Sequence, residues 1–423
     1  MLNAITNSVV NGQEDAIDIQ VFDVDKCFDS LWLQECINDL YENGFQNDKL
    51  PLLFKENRNA NIAVKSATGM SSRTSIHDVV MQGTVWSSLM CTSSVDQLGK
   101  LLYKSDKLLY MYKGVVKTPC LSMVDDILCI QKCSDKAIEV NSVINSFIEN
   151  KKLTLSANKC GKVHISKKSE NNMFCHKLKV HESEMKISKQ EKYLGDIVHT
   201  NGKIKQTLED RKRRAIAIVA EIQAILDDIP LGKYRMDIGL KLRQAMLING
   251  VLFNSEVWYG IADNDVKELE SIDEHLLRSL VKAHSKTPKE FLYLESGTIP
   301  IRFIISSRRL MYLRTIITKD DDELVRRIFN AQVDNPSPGD YVELIKNDFQ
   351  KIEEPFEEKE VLNKSKHEYK KLIKMKIRKS ALRYLNELKN THTKIKHIKY
   401  ETLKCQEYLI SPLFSNTDVN VLP

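Results

Sequence analysis

Apolar and polar residues alternate near the start of the chain. Ile17, Ile19 and Val21 fall on one face and Asp18, Gln20 and Phe22 on the other, which is the two-residue period of a half-buried strand. Helical spacing follows: Asp29 or Ser30 caps a helix whose apolar face holds Leu33, Ile37 and Leu40, with Gly44 as its stop. Residues 61–66 and 72–80 predict a hairpin turning around Thr68 and Gly69, followed by a Gln82-Gly83 turn and a helical run over 85–102. Residues 121–124 and 127–130 are short apolar runs on either side of Asp125-Asp126, a second hairpin with two carboxylates at a tight turn. A helix over 137–151 and strand-containing segments over 160–166 and 186–198 complete this region.

From about residue 204 the pattern changes to long amphipathic helices, over 204–226, 239–258 and 265–284, with few strand signals. Residues 335–339 (Asn-Pro-Ser-Pro-Gly) predict a turn or linker. Beyond it, Ile373, Ile377, Leu382, Leu385 and Leu388 approximate one helical stripe, leaving basic residues on the other faces. The patterning therefore predicts an α+β fold, with strands and helices first and helices alone afterwards.

At 423 residues the chain is long enough for two or three domains, and 42% hydrophobic with 28% charged residues is an ordinary globular composition. Nine cysteines without paired spacing, and no secretory leader pattern, predict free thiols and an intracellular protein, nuclear or cytoplasmic, rather than a secreted one. No apolar run approaches the ~20 residues needed to span a bilayer, so no membrane partner is expected. The net charge of +6 is unevenly placed. Residues 364–404 hold 14 Lys and Arg against three Glu, a net +11, which leaves −5 for the rest. That block suggests a polyanion-contacting surface or, equally, a solvated helix face.

The candidate chemistry is carboxylate chemistry. Asp23 ends the first strand and Asp125 and Asp126 sit at a hairpin tip, so the three converge if the two strands are neighbours in one sheet. Oxygen donors of this kind suit hard divalent cations that also bind substrate phosphates. Two such ions about 3.5–4 Å apart activate a hydroxyl nucleophile and neutralise a leaving pyrophosphate. An isolated Asp-Asp turn is more often just a turn. Neither Cys129 with Cys133 nor Cys160 with Cys175 and His176 makes a zinc set, and Cys405 stands alone.

The order of short segments resembles the reverse transcriptases of non-LTR (LINE-type) retrotransposons. Phe22-Asp23-Val24-Asp25-Lys26-Cys27-Phe28-Asp29 is similar to the family's first catalytic segment, which implies metal binding by Asp23 and places Phe28 under the incoming sugar. Gln82-Gly83-Thr84-Val85-Trp86-Ser87-Ser88-Leu89 resembles the turn near template and nucleotide, and Met123-Val124-Asp125-Asp126 the polymerase signature. Lys159 resembles the lysine near the triphosphate, a general acid for pyrophosphate, and Tyr193-Leu194-Gly195 the primer-grip hairpin. Residues 242–246 and 283–288 resemble thumb segments, and Arg211, Lys212, Arg213 and Arg214 cluster on the first thumb helix as candidate phosphate contacts.

The resemblance implies a polymerase palm (an antiparallel sheet with packed helices) and partial fingers over 1–200, and a helical thumb over 201–290. A connector over 291–345 and a basic helical C-terminal region over 346–423 follow. It implies an RNA-directed DNA polymerase using two Mg2+ ions, with Mn2+ as substitute, and as partners an RNA template, a DNA primer and dNTP. Met81, Val124 and Ser88 depart from the family pattern: a basic, a smaller and a Pro residue are usual there. Only 22 residues precede Asp23, so the expectation is a truncated copy lacking most of the fingers and any endonuclease. Two readings follow, an active polymerase fragment and an inactive remnant that only binds nucleic acid.

Overall fold

The computed structural model describes residues 1–403, apart from residues 13–15, 46–47, 79, 85, 119, 133, 167–177, 181–182 and 393–395. Val85, Cys133, Cys175, His176, Lys394, Lys404 and Cys405 lie outside the described residues. The fold is α+β and divides into two compact units. One is Ser8–Gly202, and the other combines Met1–Asn7 with Lys203–Pro423.

The first unit is built on a mainly antiparallel sheet. After helix α1 (Leu2–Val10), whose first residues belong to the second unit, comes the central strand β1 (Ala16–Asp23). Helices α2 (Leu33–Glu42), α3 (Leu50–Arg58) and α4 (Ser87–Tyr103) follow, then strands β2 (Leu121–Met123) and β3 (Asp126–Gln131), helix α5 (Ser134–Asn150) and strands β4 (Gly161–Ser166) and β5 (Lys186–Ile187). The strand order is β5-β4-β1-β3-β2, antiparallel except for the short β4–β5 pair. Hairpin β6 (Gln190–Tyr193) and β7 (Asp196–His199) closes the unit. Its turn is Leu194-Gly195, both at positive φ (46° and 87°), as the tight two-residue hairpin turns require.

Strand β1 is buried on both faces rather than half-buried. One face, with Phe22, joins Ile127 and Cys129 and the helix residues Leu40, Met90 and Ile144 in a common core. Its polar members find partners inside: Gln20 Nε2 donates to Ala137 O, Lys162 Nζ lies 2.8 Å from Asp18, and His164 Nδ1 lies 2.7 Å from the same carboxylate. Strand β1 therefore hides polar side chains that alternation alone assigns to water. Helix α2 begins at Leu33 behind a separate short turn, Cys27–Ser30, so neither Asp29 nor Ser30 is its cap. The predicted hairpin around Gly69 is present, with Asn59–Ile62 paired to Thr74–His77.

In the second unit the described residues from Lys203 onward form helices. The longer ones are α6 (Lys205–Asp227), α7 (Lys233–Leu242), α8 (Asp263–Leu280), α9 (Lys289–Ser296), α10 (Ile301–Ile317), α11 (Leu324–Asp334), α12 (Tyr341–Lys351) and α13 (Lys366–Asn390). The expected helix over 239–258 is broken. Helix α7 runs into a wider π turn at Arg243–Ile248, and Asn254 in the left-handed region (φ 64°) ends the run. A Cβ on Gly239 would collide with Leu280, so glycine lets α7 and α8 approach closely. Helix α13 starts with a capping box between Ser365 and Glu368. It buries Tyr369, Ile373, Ile377, Ala381 and Leu385, a stripe that shares three residues with the predicted one. Among the described residues, no helix is long and apolar enough to cross a membrane.

Candidate active site

The register of the sheet decides where the carboxylates meet. Asp23, the last residue of β1, is paired across the strands with Asp126, the first residue of β3. Partners so placed in antiparallel strands have Cα atoms about 4.5–5.5 Å apart and side chains on one face. The β2–β3 hairpin pairs Met123 with Asp126, so its two-residue loop is Val124-Asp125 and not Asp125-Asp126. Val124 carries a positive φ of 60°, an uncommon conformation for a β-branched side chain and one found where function holds strain.

The end of β1 is fixed by residues 154–160. Asp25 N donates to Thr154 O (2.8 Å), Ser156 N to Asp23 O (2.9 Å), and Val24 bridges Leu155. Asp23 N donates to the Cys160 thiol at 3.4 Å, which gives this buried cysteine a structural part that its sequence position did not signal. The same segment delivers Lys159, whose Nζ stands 3.0 Å from Asp23 Oδ2. Lys159 is mostly exposed, and the hydrogen bond and charge of Asp23 raise its pKa, so it stays protonated at neutral pH.

Asp126 is pushed the other way from an ordinary salt-bridged acid. Partial burial, then the charges of Asp125 and Asp23, raise its pKa, and Lys159 offsets this only in part. Three carboxylates thus share one ammonium group. Their donor chemistry fits a divalent cation. Among the described residues, however, no three His, Cys, Asp or Glu side chains are gathered into a set that would hold a metal ion.

The other predicted residues lie around this centre or away from it. Phe28 sits in the Cys27–Ser30 turn, half-buried against the helix-side core. Gln82 and Gly83 are exposed ahead of α4; Gly83 has φ 86° and open space around it, so the turn, not crowding, calls for glycine. Tyr193 OH donates to Leu121 O on β2 (3.4 Å), while hairpin β6–β7 packs against β4, where Glu191 covers Gly161; burial first, then Asp126, raises the Tyr193 pKa.

The four basic residues of α6 do not form one surface. Arg211 is buried, with its guanidinium 5.9 Å from the centre of the Phe253 ring, and Lys212 is held by Asp265 and Glu268. Helical geometry turns successive residues by about 100°, which a run of four basic letters does not reveal. Arg213 and Arg214 remain outward, both beside Asp210. Arg243, within a segment read as thumb-like, is a buried structural residue bonded twice to Asp273.

Residues 7–198 match the family model of the reverse transcriptase (RNA-dependent DNA polymerase). The chain is similar to a solved telomerase from Candida albicans in complex with a TWJ fragment of telomeric RNA. Identity is 13%, coverage 89% of this chain and 53% of that one, and TM-score 0.39. Apo telomerase from Candida Tropicalis is similar at 12% identity, covering 81% and 55%, with TM-score 0.38. A form of it truncated from the C-terminal domain gives 15% identity, 47% and 37%, and TM-score 0.33. This chain thus spans about half or less of the telomerase chains it matches. No curated protein matches it.

Proposed function

With residues 7–198 matching the reverse transcriptase family, we propose that this unit is the palm of an RNA-directed DNA polymerase. It extends a primer 3′-OH with dNTP on an RNA template, with Asp23, Asp125 and Asp126 holding divalent ions, Mg2+ or Mn2+. The observation that carries this reading is the pairing of Asp23 with Asp126 at the ends of β1 and β3, with Asp125 adjacent in the strained loop. When bound, such ions activate the attacking hydroxyl and neutralise developing phosphate charge.

The remaining roles belong to the chain itself. Lys159, protonated at neutral pH, turns from Asp23 to the triphosphate and donates a proton to the departing pyrophosphate. Phe28 supports the sugar, Gln82 and Gly83 let nucleotide and template approach the backbone, and hairpin β6–β7 guides the primer end. Arg213 and Arg214 meet phosphates, adding affinity without sequence choice. The motif order favours descent from a LINE-type retrotransposon.

A second reading, nucleic-acid binding without turnover, is favoured by Asp23 being engaged by Lys159 and by the carboxylates not being gathered as a ligand set. Primer extension by the purified protein on RNA and DNA templates separates the two. The first reading expects extension with Mg2+ and a loss of about a thousandfold or more in Asp125→Ala, equivalent to about 4 kcal/mol of barrier. Binding without extension supports the second, and undiminished extension by the variant removes the site assignment.

A further inference from the structure

Several arginines of the helical unit are closed into pairs with carboxylates. Arg243 meets Asp273, Arg302 meets Glu270, Arg309 meets Asp348 and Arg326 meets Glu358, each at 2.6–2.9 Å. In the groove between α10 and α13 the arginines have no such partner among the described residues. The groove encloses about 530 Å³, and five cations line it, Arg308, Arg314, Lys319, Lys366 and Lys370. Glu256 is the only acid among the described residues that line it.

Two of these cations are anchored without being neutralised. Arg308 donates to the carbonyls of Leu252 and Ile248 and to Asn249 Oδ1. Arg314 donates to Lys364 O at 2.6 Å, and its buried Nε has no hydrogen-bond partner among the described residues. Carbonyl oxygens fix a guanidinium in place and leave its full charge on the groove. Lys319 is paired with Glu323, whereas Lys366 and Lys370 are exposed and have no ion pair among the described residues. Lys374, exposed and likewise unpaired there, continues the same i, i+4 row of α13 beyond the groove.

Leaving a part-buried cation without a counter-charge is costly, and pre-fixed donors beside mobile lysines are suited to phosphate oxygens. We propose that the α10–α13 groove binds the phosphodiester backbone of a nucleic-acid strand, which continues along the lysine row of α13. The groove belongs to the helical unit, and the proposal does not rest on the polymerase reading. The fixed arginines with the row of lysines match a chain of regularly spaced phosphates better than a single anion, and the exposed threonine Thr315 adds a neutral donor.

The test is fluorescence-anisotropy binding of labelled RNA and DNA oligonucleotides to the full chain across about 50 to 200 mM salt, where phosphate contacts dominate the salt dependence. Lys366→Glu/Lys370→Glu is expected to weaken binding about tenfold or more and to reduce the log–log salt slope by about 2, given roughly 0.9 per phosphate contact. Lys346→Glu/Lys359→Glu makes the same charge change at exposed lysines outside the groove and is expected to alter affinity less than about twofold. Glu256→Gln is expected to tighten binding. Unchanged far-UV circular dichroism in each variant separates the effect from unfolding, and Arg314→Met supplies an independent loss. Equal weakening by both double variants, no oligonucleotide binding at all, or binding to phosphatidylserine vesicles in place of oligonucleotides overturns the proposal.

Discussion

The two units leave charge of opposite sign uncompensated: cations along the α10–α13 groove of one, carboxylates at the strand ends of the other. In the helical unit, the two wholly shielded acids Asp273 and Asp348 each face an arginine at 2.6–2.8 Å. The sheet unit does the same inside its core, where Asp18 closes on Lys162 and His164. At the ends of β1 and β3 it does not, because among the described residues Asp23, Asp125 and Asp126 have only Lys159 between them. Matched pairs hold a fold together, and mismatched ones persist where something outside the chain completes them.

Breaking a matched pair gives the largest expected effect. Arg243→Ala leaves Asp273 buried with, among the described residues, Tyr293 OH as its hydrogen-bond partner (3.3 Å) and is expected to cost about 3–5 kcal/mol in denaturant unfolding. A loss below about 1 kcal/mol, the usual worth of an exposed pair, would mean that these pairs are not structural.

Ser365→Ala is expected to cost about 1 kcal/mol, the ordinary value of an N-cap, since it removes the hydrogen bond to Glu368 N that starts α13. Circular dichroism during thermal unfolding reads it. Unchanged stability would show that packing of Tyr369 and Ile373 alone holds the helix start.

Two substitutions with opposite pH dependence sharpen the comparison further. Burial pushes Asp18 up, but hydrogen bonds and charge from His164 and Lys162 more than reverse this, so its pKa is lowered. Its contribution to stability is present above the ordinary carboxylate range near pH 4 and is lost as pH falls through the depressed value. Asp18→Asn therefore lowers stability at neutral pH and flattens the acid limb. Asp126 is raised, so its protonated form favours the fold and that stability is lost as pH rises through the raised value. Asp126→Asn is expected to stabilise the metal-free protein at neutral pH by a small amount that disappears below about pH 4. Thermal melts of both variants across pH check this; parallel slopes would contradict the contrast.

Sequence made the strand ends more legible than the basic clusters. The apolar runs around Asp125-Asp126 and the alternation ending at Asp23 located both strands, because strand pairing depends on local pattern and a short turn. The residues that share the tip were misplaced by one, since register is set by pairing across the sheet and Asp126 belongs to the strand. Polar burial in β1 was hidden for a related reason: Asp18 and Gln20 read as solvent-facing until their partners on β4 and α5 are known. On α6, four consecutive basic letters suggested one surface, yet the helix sends Arg211 inward and Lys212 to a neighbouring helix. Arg308 and Arg314 carried no signal at all, because their lack of carboxylate partners is a property of packing between α10 and its neighbours.

The claim that the uncompensated carboxylates form a cation site is tested most directly by titrating the purified protein with Mn2+ and following free ion by electron paramagnetic resonance. The account predicts saturable binding by the wild-type chain and affinity lowered about tenfold or more in Asp126→Asn, as loss of one oxygen ligand implies. Equal binding by both proteins, or none by either, would contradict it.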